Sequence, residues 1–201
     1  MSEIKSICVY CAANAGNKPA FVEAAREFGR VLAENGIRLV YGGGSVGLMG
    51  ALAESVLDHG GLVTGVIPDF LVNREHMLVS VQERIITRDM HERKREMFER
   101  ADAFVALPGG IGTLEELVEQ MTWAQLGRHK KPILILNTEG FWDPLCKLLV
   151  QMEQLDFIRA GLPVSYLVAQ RVEEILPQLL AAARAVSETE KEMTPVAAER
   201  M

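Results

Sequence analysis

The sequence lacks several features that mark particular classes of protein. It has no excess of basic residues, and its formal net charge of −6 argues against a surface that holds a nucleic-acid backbone. It has no run of about 18 apolar residues, as a transmembrane helix requires. Its first residues, Met1 to Lys5, lack the basic and apolar segments of a signal peptide. We therefore expect a soluble, cytoplasmic protein that binds neither nucleic acid nor membranes.

Cysteine and histidine are also scarce. Three cysteines do not suggest a disulfide framework, and Cys8 and Cys11 lie in a strand-like run, where packing is favoured over a redox role. The four histidines show no metal-ligand spacing with one another or with the cysteines. We expect neither a metal site nor a cofactor.

Short runs rich in Val and Ile alternate with longer stretches of helical periodicity, a pattern typical of a parallel sheet covered by helices on both faces. The predicted strands are residues 7–10, 37–41, 63–67, 81–86, 103–107, 133–136 and 166–169, and the predicted helices are 19–35, 47–59, 90–101, 113–127, 141–155 and 172–185. The sequence thus predicts an α/β, Rossmann-like, doubly wound fold with a mainly parallel sheet. We expect a single domain over residues 1–186 and a disordered tail at 187–201.

Two glycine-rich loops each join a predicted strand to a predicted helix. In the first, residues 41–50, Gly42, Gly44 and Gly47 fit the spacing G-x-G-x-x-G, and Gly43 and Gly44 are candidate phosphate contacts. The loop follows the second strand rather than the first, and about 20 residues further on Asp69 lies beyond a strand end instead of in a clean ribose-binding position. These departures disfavour a nicotinamide cofactor. Two interpretations of the loop remain, a site for another nucleotide and a simple tight turn.

The second loop, residues 107–116, has two interpretations. Its backbone N–H groups and the Thr113 hydroxyl can bind a phosphate at the positive end of a helix. Thr113 and Glu116 are also spaced as a capping box, which would satisfy the helix end without a ligand.

The charged segment 90–101 is predicted to point two cations inward. At about 100° per residue, Met90, Met97 and Ala101 define the buried stripe, and Arg93 and Lys94 fall on either side of its centre. Both lie in the first turns of the helix, near the strand ends where an anionic ligand would bind. The alternative is that both side chains extend into solvent.

The same count places Leu117 and Met121 of the next helix in the core and directs Glu116, Gln120 and Trp123 elsewhere. An indole on a second face indicates that another surface covers it. A symmetric homodimer would provide that surface, and we expect one.

The blocks at residues 41–50, 89–94 and 108–116, joined by 122–127, resemble the LONELY GUY family. Its members are cytokinin riboside 5′-monophosphate phosphoribohydrolases, often mislabelled as lysine decarboxylases. The resemblance covers roughly residues 4–180. A decarboxylase that uses pyridoxal phosphate needs a Schiff-base lysine, and the sequence contains no matching Ser-x-His-Lys context.

The resemblance implies hydrolysis of N6-modified AMP with Arg93 and Glu116 as the catalytic pair, and AMP itself is a further candidate substrate. The further candidate substrate contacts are Glu75, Lys94, Gly109, Gly110, Gly112, Thr113, Glu115 and Thr122. The sequence departs from the family at Cys11-Ala12-Ala13-Asn14, where glycine and small hydroxyl residues are common.

Cleavage of an N-glycosidic bond builds positive charge at the anomeric carbon, which a carboxylate such as Glu116 can stabilise while Arg93 holds the substrate. Glu115 and Glu116 lie about 100° apart on the helix, so we expect one catalytic carboxylate and one cation. A non-catalytic nucleotide-binding protein and a nicotinamide-dependent oxidoreductase are the competing hypotheses.

Overall fold

The computed structural model describes residues 4–72, 76–159 and 161–193. The strands are β1 (Ser6–Tyr10), β2 (Arg38–Tyr41), β3 (Val63–Pro68), β4 (Glu83–Thr87), β5 (Ala103–Ala106), β6 (Ile133–Leu136) and β7 (Leu167–Ala169). The helices are α1 (Pro19–Glu34), α2 (Gly47–Asp58), α3 (Met90–Glu99), α4 (Ile111–Gln125), α5 (Asp143–Gln154) and α6 (Ile175–Met193). Within these ranges, no helix is both long enough and apolar enough to cross a membrane.

The strand order explains where a ligand can bind. The sheet runs β4-β3-β2-β1-β5-β6-β7, and each neighbouring pair is parallel. The chain winds outward from β1 to one edge, returns to place β5 beside β1, and then winds to the other edge. The winding direction therefore reverses between β1 and β5, and a crevice opens at their carboxyl ends. The predicted Rossmann-like α/β fold is confirmed.

Alternating residues of the central strand supply two hydrophobic cores. Ile7 and Val9 belong to the core formed with α1, α2 and α6. Cys8 and Tyr10 belong to the core on the opposite face, formed with α3, α4 and α5. Helices therefore cover both faces of the sheet, as predicted for a doubly wound fold.

The cysteines are free thiols that serve in packing. Cys8 and Cys11 are buried, and neither they nor Cys146 forms a disulfide. Burial raises the pKa of both buried thiols well above the usual value, so the reactive thiolate form is disfavoured. The structure thus supports the packing interpretation of the Cys8–Cys11 spacing.

Several predicted boundaries differ from the structure, and two of the differences concern the second glycine loop and the tail. Helix α4 begins at Ile111, two residues before the predicted start at Thr113. Helix α6 continues to Met193, so the tail expected from residue 187 is helical as far as the structure describes it. The charged stretch was interpreted as disordered, but its Glu and Lys residues are also good helix formers. Residues 194–201 lie outside the described ranges.

We predict that Gly29→Ala destabilises the protein. In an exposed helix this change stabilises by about 1 kcal/mol. Here a Cβ at Gly29 would lie 2.6 Å from the Leu52 carbonyl oxygen and 2.8 Å from Cβ of Ser55, so α1 and α2 would have to separate. We expect a loss of about 1–3 kcal/mol in the free energy of unfolding, measured in urea. A gain in stability would contradict this close packing.

Candidate active site

A cavity of about 270 Å³ opens at the carboxyl ends of the central strands. Its lining comes from the end of β1 and the loop that follows, residues 9–14, from Gly42 and Met49 around the first glycine loop, and from the start of α4. Arg93 of α3 completes the wall. The cavity therefore lies in the crevice that the strand order creates.

A larger cavity, of about 450 Å³, lies near the amino ends of β6 and β7. Two of its polar side chains, His129 and Lys131, already have partners within the chain. A ring nitrogen of His129 lies 3.3 Å from the Gln120 carbonyl oxygen, and Nζ of Lys131 donates to the Phe98 carbonyl over 2.7 Å. Burial lowers the pKa of both His129 and Lys131. Because the glycine loops lie at the other end of the sheet, the smaller cavity is the candidate active site.

An ion pair is buried in the wall of this cavity. Nη1 of Arg93 lies 3.1 Å from Oε1 of Glu116, and each side chain is less than a tenth exposed. Nε of Arg93 also donates to the Val66 carbonyl over 3.2 Å. Removing a charge from water is costly unless a partner replaces the solvent, so each side chain stabilises the other's charge.

The start of α3 determines where Arg93 points. Asp89 is the N-cap, and its carboxylate accepts a hydrogen bond of 2.8 Å from the Glu92 N–H. The Glu92 carboxylate in turn accepts from the Arg88 N–H over 2.8 Å. From this start, Arg93 and Met97 fall on the face that is buried. The inward direction predicted for Arg93 is confirmed.

The expected direction of Glu116 was wrong. Thr113, Glu116 and Gln120 are all buried, and their spacing places them on one face of α4. The N-cap of this helix is Gly110, which makes no side-chain cap bond, so Thr113 and Glu116 do not form the capping box. The count failed because this buried face carries polar side chains where the helix passes the cavity.

The start of α4 leaves backbone donors available. Among the described residues, no acceptor faces the N–H groups of Ile111, Gly112 or Thr113, whereas Leu114 N–H donates to the Gly110 carbonyl over 3.0 Å. Gly110, Gly112 and Thr113 line the cavity. Unpaired donors at the positive end of a helix favour an anion.

Gly109 allows a close approach at this turn and lines an adjoining apolar cavity. A Cβ at this position would overlap the side chain of Thr113. The adjoining cavity has a volume of about 240 Å³ and shares Gly110 with the candidate site.

The first glycine loop is occupied by the chain itself. The Leu48 and Met49 N–H groups at the start of α2 both donate to the Ala12 carbonyl, over 3.0 and 3.2 Å. A Cβ at Gly47 would overlap the backbone of Ala13. The space that a dinucleotide's pyrophosphate would need at this helix start is therefore filled, which argues against the nicotinamide hypothesis.

The candidate phosphate contacts of the first loop face away from the cavity. The Gly43 carbonyl accepts a hydrogen bond of 3.0 Å from Leu78 N–H, and Gly44 forms an antiparallel bridge with Met77. Gly42 lines the cavity instead, although the sequence did not single it out as a site residue. This geometry does not support substrate contact by Gly43 or Gly44.

Lys94 meets protein carboxylates rather than the cavity. Its Nζ lies 2.7 Å from Oε1 of Glu115 and 2.8 Å from Oε1 of Glu119. Partial burial favours a lower pKa for Lys94, but these hydrogen bonds outweigh it and raise the pKa. The Thr122 hydroxyl donates to the Val118 carbonyl over 2.8 Å on the exposed side of α4. The lining of the cavity therefore includes none of Lys94, Glu115 and Thr122, and Glu75 lies outside the described residues.

Sequence reasoning missed the contribution of β1. Tyr10, Cys11 and Asn14 line the cavity, and the last two belong to residues 11–14, where the sequence departs from the pattern it resembles. That departure, directly after the first strand, was the available signal. Burial raises the pKa of Tyr10 well above its usual range, and the charge of Glu116 adds to this effect, so the phenol stays neutral.

The indole of Trp123 is half-buried, and part of its surface is covered within the chain. Its ring packs edge-on against Phe98 with centroids 5.2 Å apart. The Arg128 guanidinium lies 5.0 Å from the indole centroid on another side. Contacts within the chain therefore account for part of the surface that was expected to face a second subunit.

The fold and the cavity define an α/β protein of the Rossmann-like class, with an open helix end beside a buried arginine–carboxylate pair. The same fold occurs in the molybdenum cofactor binding protein of the phototrophic bacterium Rippkaea orientalis, with a TM-score of 0.65 and 20% identity over 90% of this chain and 98% of that one.

Sequence comparison narrows this class to a family. The profile of the family described as "Possible lysine decarboxylase" matches residues 49–179. The chain is 50% identical to the probable cytokinin riboside 5′-monophosphate phosphoribohydrolase LOGL1 of Oryza sativa subsp. japonica, over 86% of this chain and 78% of the relative. It is 49% identical to the cytokinin riboside 5′-monophosphate phosphoribohydrolase LOG1 of Arabidopsis thaliana, over 78% and 74%. The chain therefore belongs to the cytokinin riboside 5′-monophosphate phosphoribohydrolase family.

We predict that Thr113→Val weakens nucleotide binding without destabilising the helix. The hydroxyl lies at the open helix start but does not cap it. Loss of one hydrogen bond to a charged phosphate should raise the Kd for AMP roughly 10- to 100-fold. Titration calorimetry measures the Kd, and thermal unfolding measures stability. A lower Tm with unchanged affinity would instead support a capping role.

Proposed function

We propose that this protein hydrolyses the N-glycosidic bond of cytokinin riboside 5′-monophosphates, which are N6-modified forms of AMP, and of AMP itself. The products are the free base and ribose 5-phosphate. The observation that gives this proposal its main support is the buried Arg93–Glu116 pair beside the open start of α4. The free thiols also support a reducing, cytoplasmic compartment for this activity.

The spacing along α4 suits a nucleoside monophosphate. A phosphate held by the N–H groups of Gly112 and Thr113 would lie at the first turn of the helix. Glu116 follows one turn later, about 5.4 Å along the axis. This span is comparable to that between the 5′-phosphate and the anomeric carbon, so a bound phosphate would direct the sugar toward Glu116.

The chemistry requires one carboxylate and one cation. As the bond to the base breaks, its electron pair leaves with the base and positive charge builds at the anomeric carbon. The Glu116 carboxylate would stabilise this charge and accept a proton from the attacking water, whose oxygen bonds to the anomeric carbon. Arg93 would keep Glu116 oriented and would hold the substrate, while the departing base takes up a proton from solvent and Glu116 later returns its proton to solvent.

The rival activities have less support. Among the described residues that line the cavity there is no lysine, so a Schiff base with pyridoxal phosphate has no partner there. The non-catalytic alternative assigned Glu116 to a helix cap, but Gly110 occupies that position. Both relatives reported above are named as phosphoribohydrolases.

We predict that Glu116→Gln lowers turnover by about 10²- to 10⁴-fold while nucleotide binding is largely retained, because the amide keeps the shape but loses the charge. Each variant is incubated with AMP or isopentenyl-AMP, without added metal or cofactor. Chromatography then measures free base and ribose 5-phosphate.

The matched control is Glu115→Gln, the same change one residue earlier. That carboxylate is half exposed and pairs with Lys94, so turnover should stay near the wild-type value. Unfolding midpoints are measured for both variants, because Glu116→Gln leaves Arg93 without its carboxylate. The assignment fails if both variants lose turnover equally, and the proposed function fails if the wild type releases no base from either nucleotide.

We also propose that two copies of the chain associate through the outer side of α5. The inner side, with Leu145 and Leu149, packs against the core, yet no residue of this helix is fully buried. Leu148 and Met152 of α5 and Leu155 directly after it have helical spacing on the outer side, and all three are exposed. A second copy would cover this apolar stripe through the same surface on both subunits.

We predict a dimer in sedimentation experiments at micromolar concentration. Leu148→Asp places a charge in the stripe and should shift the population to monomer. Lys147→Asp, one residue earlier on the exposed surface, is the control and should leave the dimer intact. A wild-type protein that sediments only as a monomer would rule out this association.

A further inference from the structure

The first glycine loop reaches the cavity at Gly42, where it lies against Arg93. A Cβ added to Gly42 would overlap Nη2 of Arg93 and lie 2.9 Å from Sδ of Met49. The other two nitrogens of the guanidinium are already engaged, Nε with the Val66 carbonyl and Nη1 with Glu116. The backbone at Gly42 thus packs against the third nitrogen of the guanidinium, because residue 42 has no side chain.

Space, rather than backbone conformation, explains the glycine at this position. Gly43 and Gly47 have φ angles of 83° and 64°, in the left-handed region that favours glycine. Gly42 is not among the glycines with positive φ. An alanine could therefore adopt the same backbone conformation, and its methyl group would be the main change.

The backbone around Gly42 cannot easily move to admit a side chain. Tyr41 is held in the sheet by pairing with Val9 on one side and Gly65 on the other. The Gly43 carbonyl accepts a hydrogen bond of 3.0 Å from Leu78 N–H. A methyl group at residue 42 would therefore displace the flexible ends of Arg93 and Met49.

We propose that Gly42 is a positioning residue for Arg93. Because residue 42 has no side chain, space remains for the guanidinium to contact both Glu116 and the Val66 carbonyl. The proposal assigns the first glycine loop a role in organising the buried ion pair, in place of a phosphate contact. The expected effect on kcat rests on the proposed hydrolysis, whereas the packing of Gly42 against Arg93 does not.

The first test is Gly42→Ala. Displacement of a group in the reaction centre by about 1 Å can lower a rate on the order of 10²-fold, and we expect kcat to fall by this factor. The unfolding midpoint and the KM should change little, because only the ends of flexible side chains must move. Gly161→Ala is the control, since a Cβ there meets no atom within 4 Å and its φ is not positive. Unchanged kcat in Gly42→Ala would overturn the proposal.

A double-mutant cycle separates positioning from a general structural effect. A lysine side chain ends in a single nitrogen and has no counterpart of Nη2, the atom of Arg93 that meets residue 42. In an Arg93→Lys background, Gly42→Ala should therefore lower the remaining kcat less than about threefold. An equal fold-loss in both backgrounds would show that Gly42 does not act through Arg93 and would overturn the proposal.

A measurement that does not depend on turnover tests directly whether Gly42 positions Arg93. The Arg93 Nε–H signal in ¹⁵N NMR is assigned by its absence in Arg93→Lys. Because this N–H donates to the Val66 carbonyl, its hydrogen exchange should accelerate in Gly42→Ala. An unchanged signal and exchange rate would overturn the proposal. If the wild type hydrolyses no nucleotide, the proposed function fails, and this measurement still decides the role of Gly42.

Discussion

The contact between Arg93 and Glu116 constrains much of the site around it. A guanidinium and a carboxylate that leave water together need a short contact and further hydrogen bonds to offset their lost solvation. Those requirements extend to four separate segments: α3 supplies the cation, α4 supplies the anion, β3 supplies the Val66 carbonyl, and the loop after β2 supplies an open space at Gly42. A change in any of these segments therefore affects the same pair.

The two glycine loops show how similar local sequences acquire different roles. Each joins a strand to a helix start. At α2, the Ala12 carbonyl accepts the first N–H groups, and the loop after β1 fills the remaining space. At α4, the corresponding groups face the cavity beside exposed Gly110 and Gly112. Strand order decides the difference, because the reversal between β1 and β5 opens the crevice beside the second loop.

A further polar side chain is buried on α4, one turn after Glu116. Gln120 is fully buried, and neither atom of its side-chain amide has a partner among the described residues. An unsatisfied buried polar group costs about 1–3 kcal/mol, so an apolar side chain would favour stability here. Departures from the rules of stable packing are common near functional sites. This explains why a helical count based on hydrophobicity misjudged the face that carries Glu116 and Gln120.

Local patterns in the sequence were sufficient to predict the seven strands, the six α-helices and the inward direction of Arg93, because these depend on periodicity within one element. Resemblance added the pairing of Arg93 with Glu116, which no local pattern contains. Only the tertiary structure decided that Lys94 pairs with Glu115 and Glu119, that Gly110 is the N-cap of α4, that Trp123 packs against Phe98, and that Gly42 rather than Gly43 or Gly44 reaches the cavity. Each of these outcomes depends on which distant segments fill the surrounding space, and that is determined when the strands assemble into a sheet.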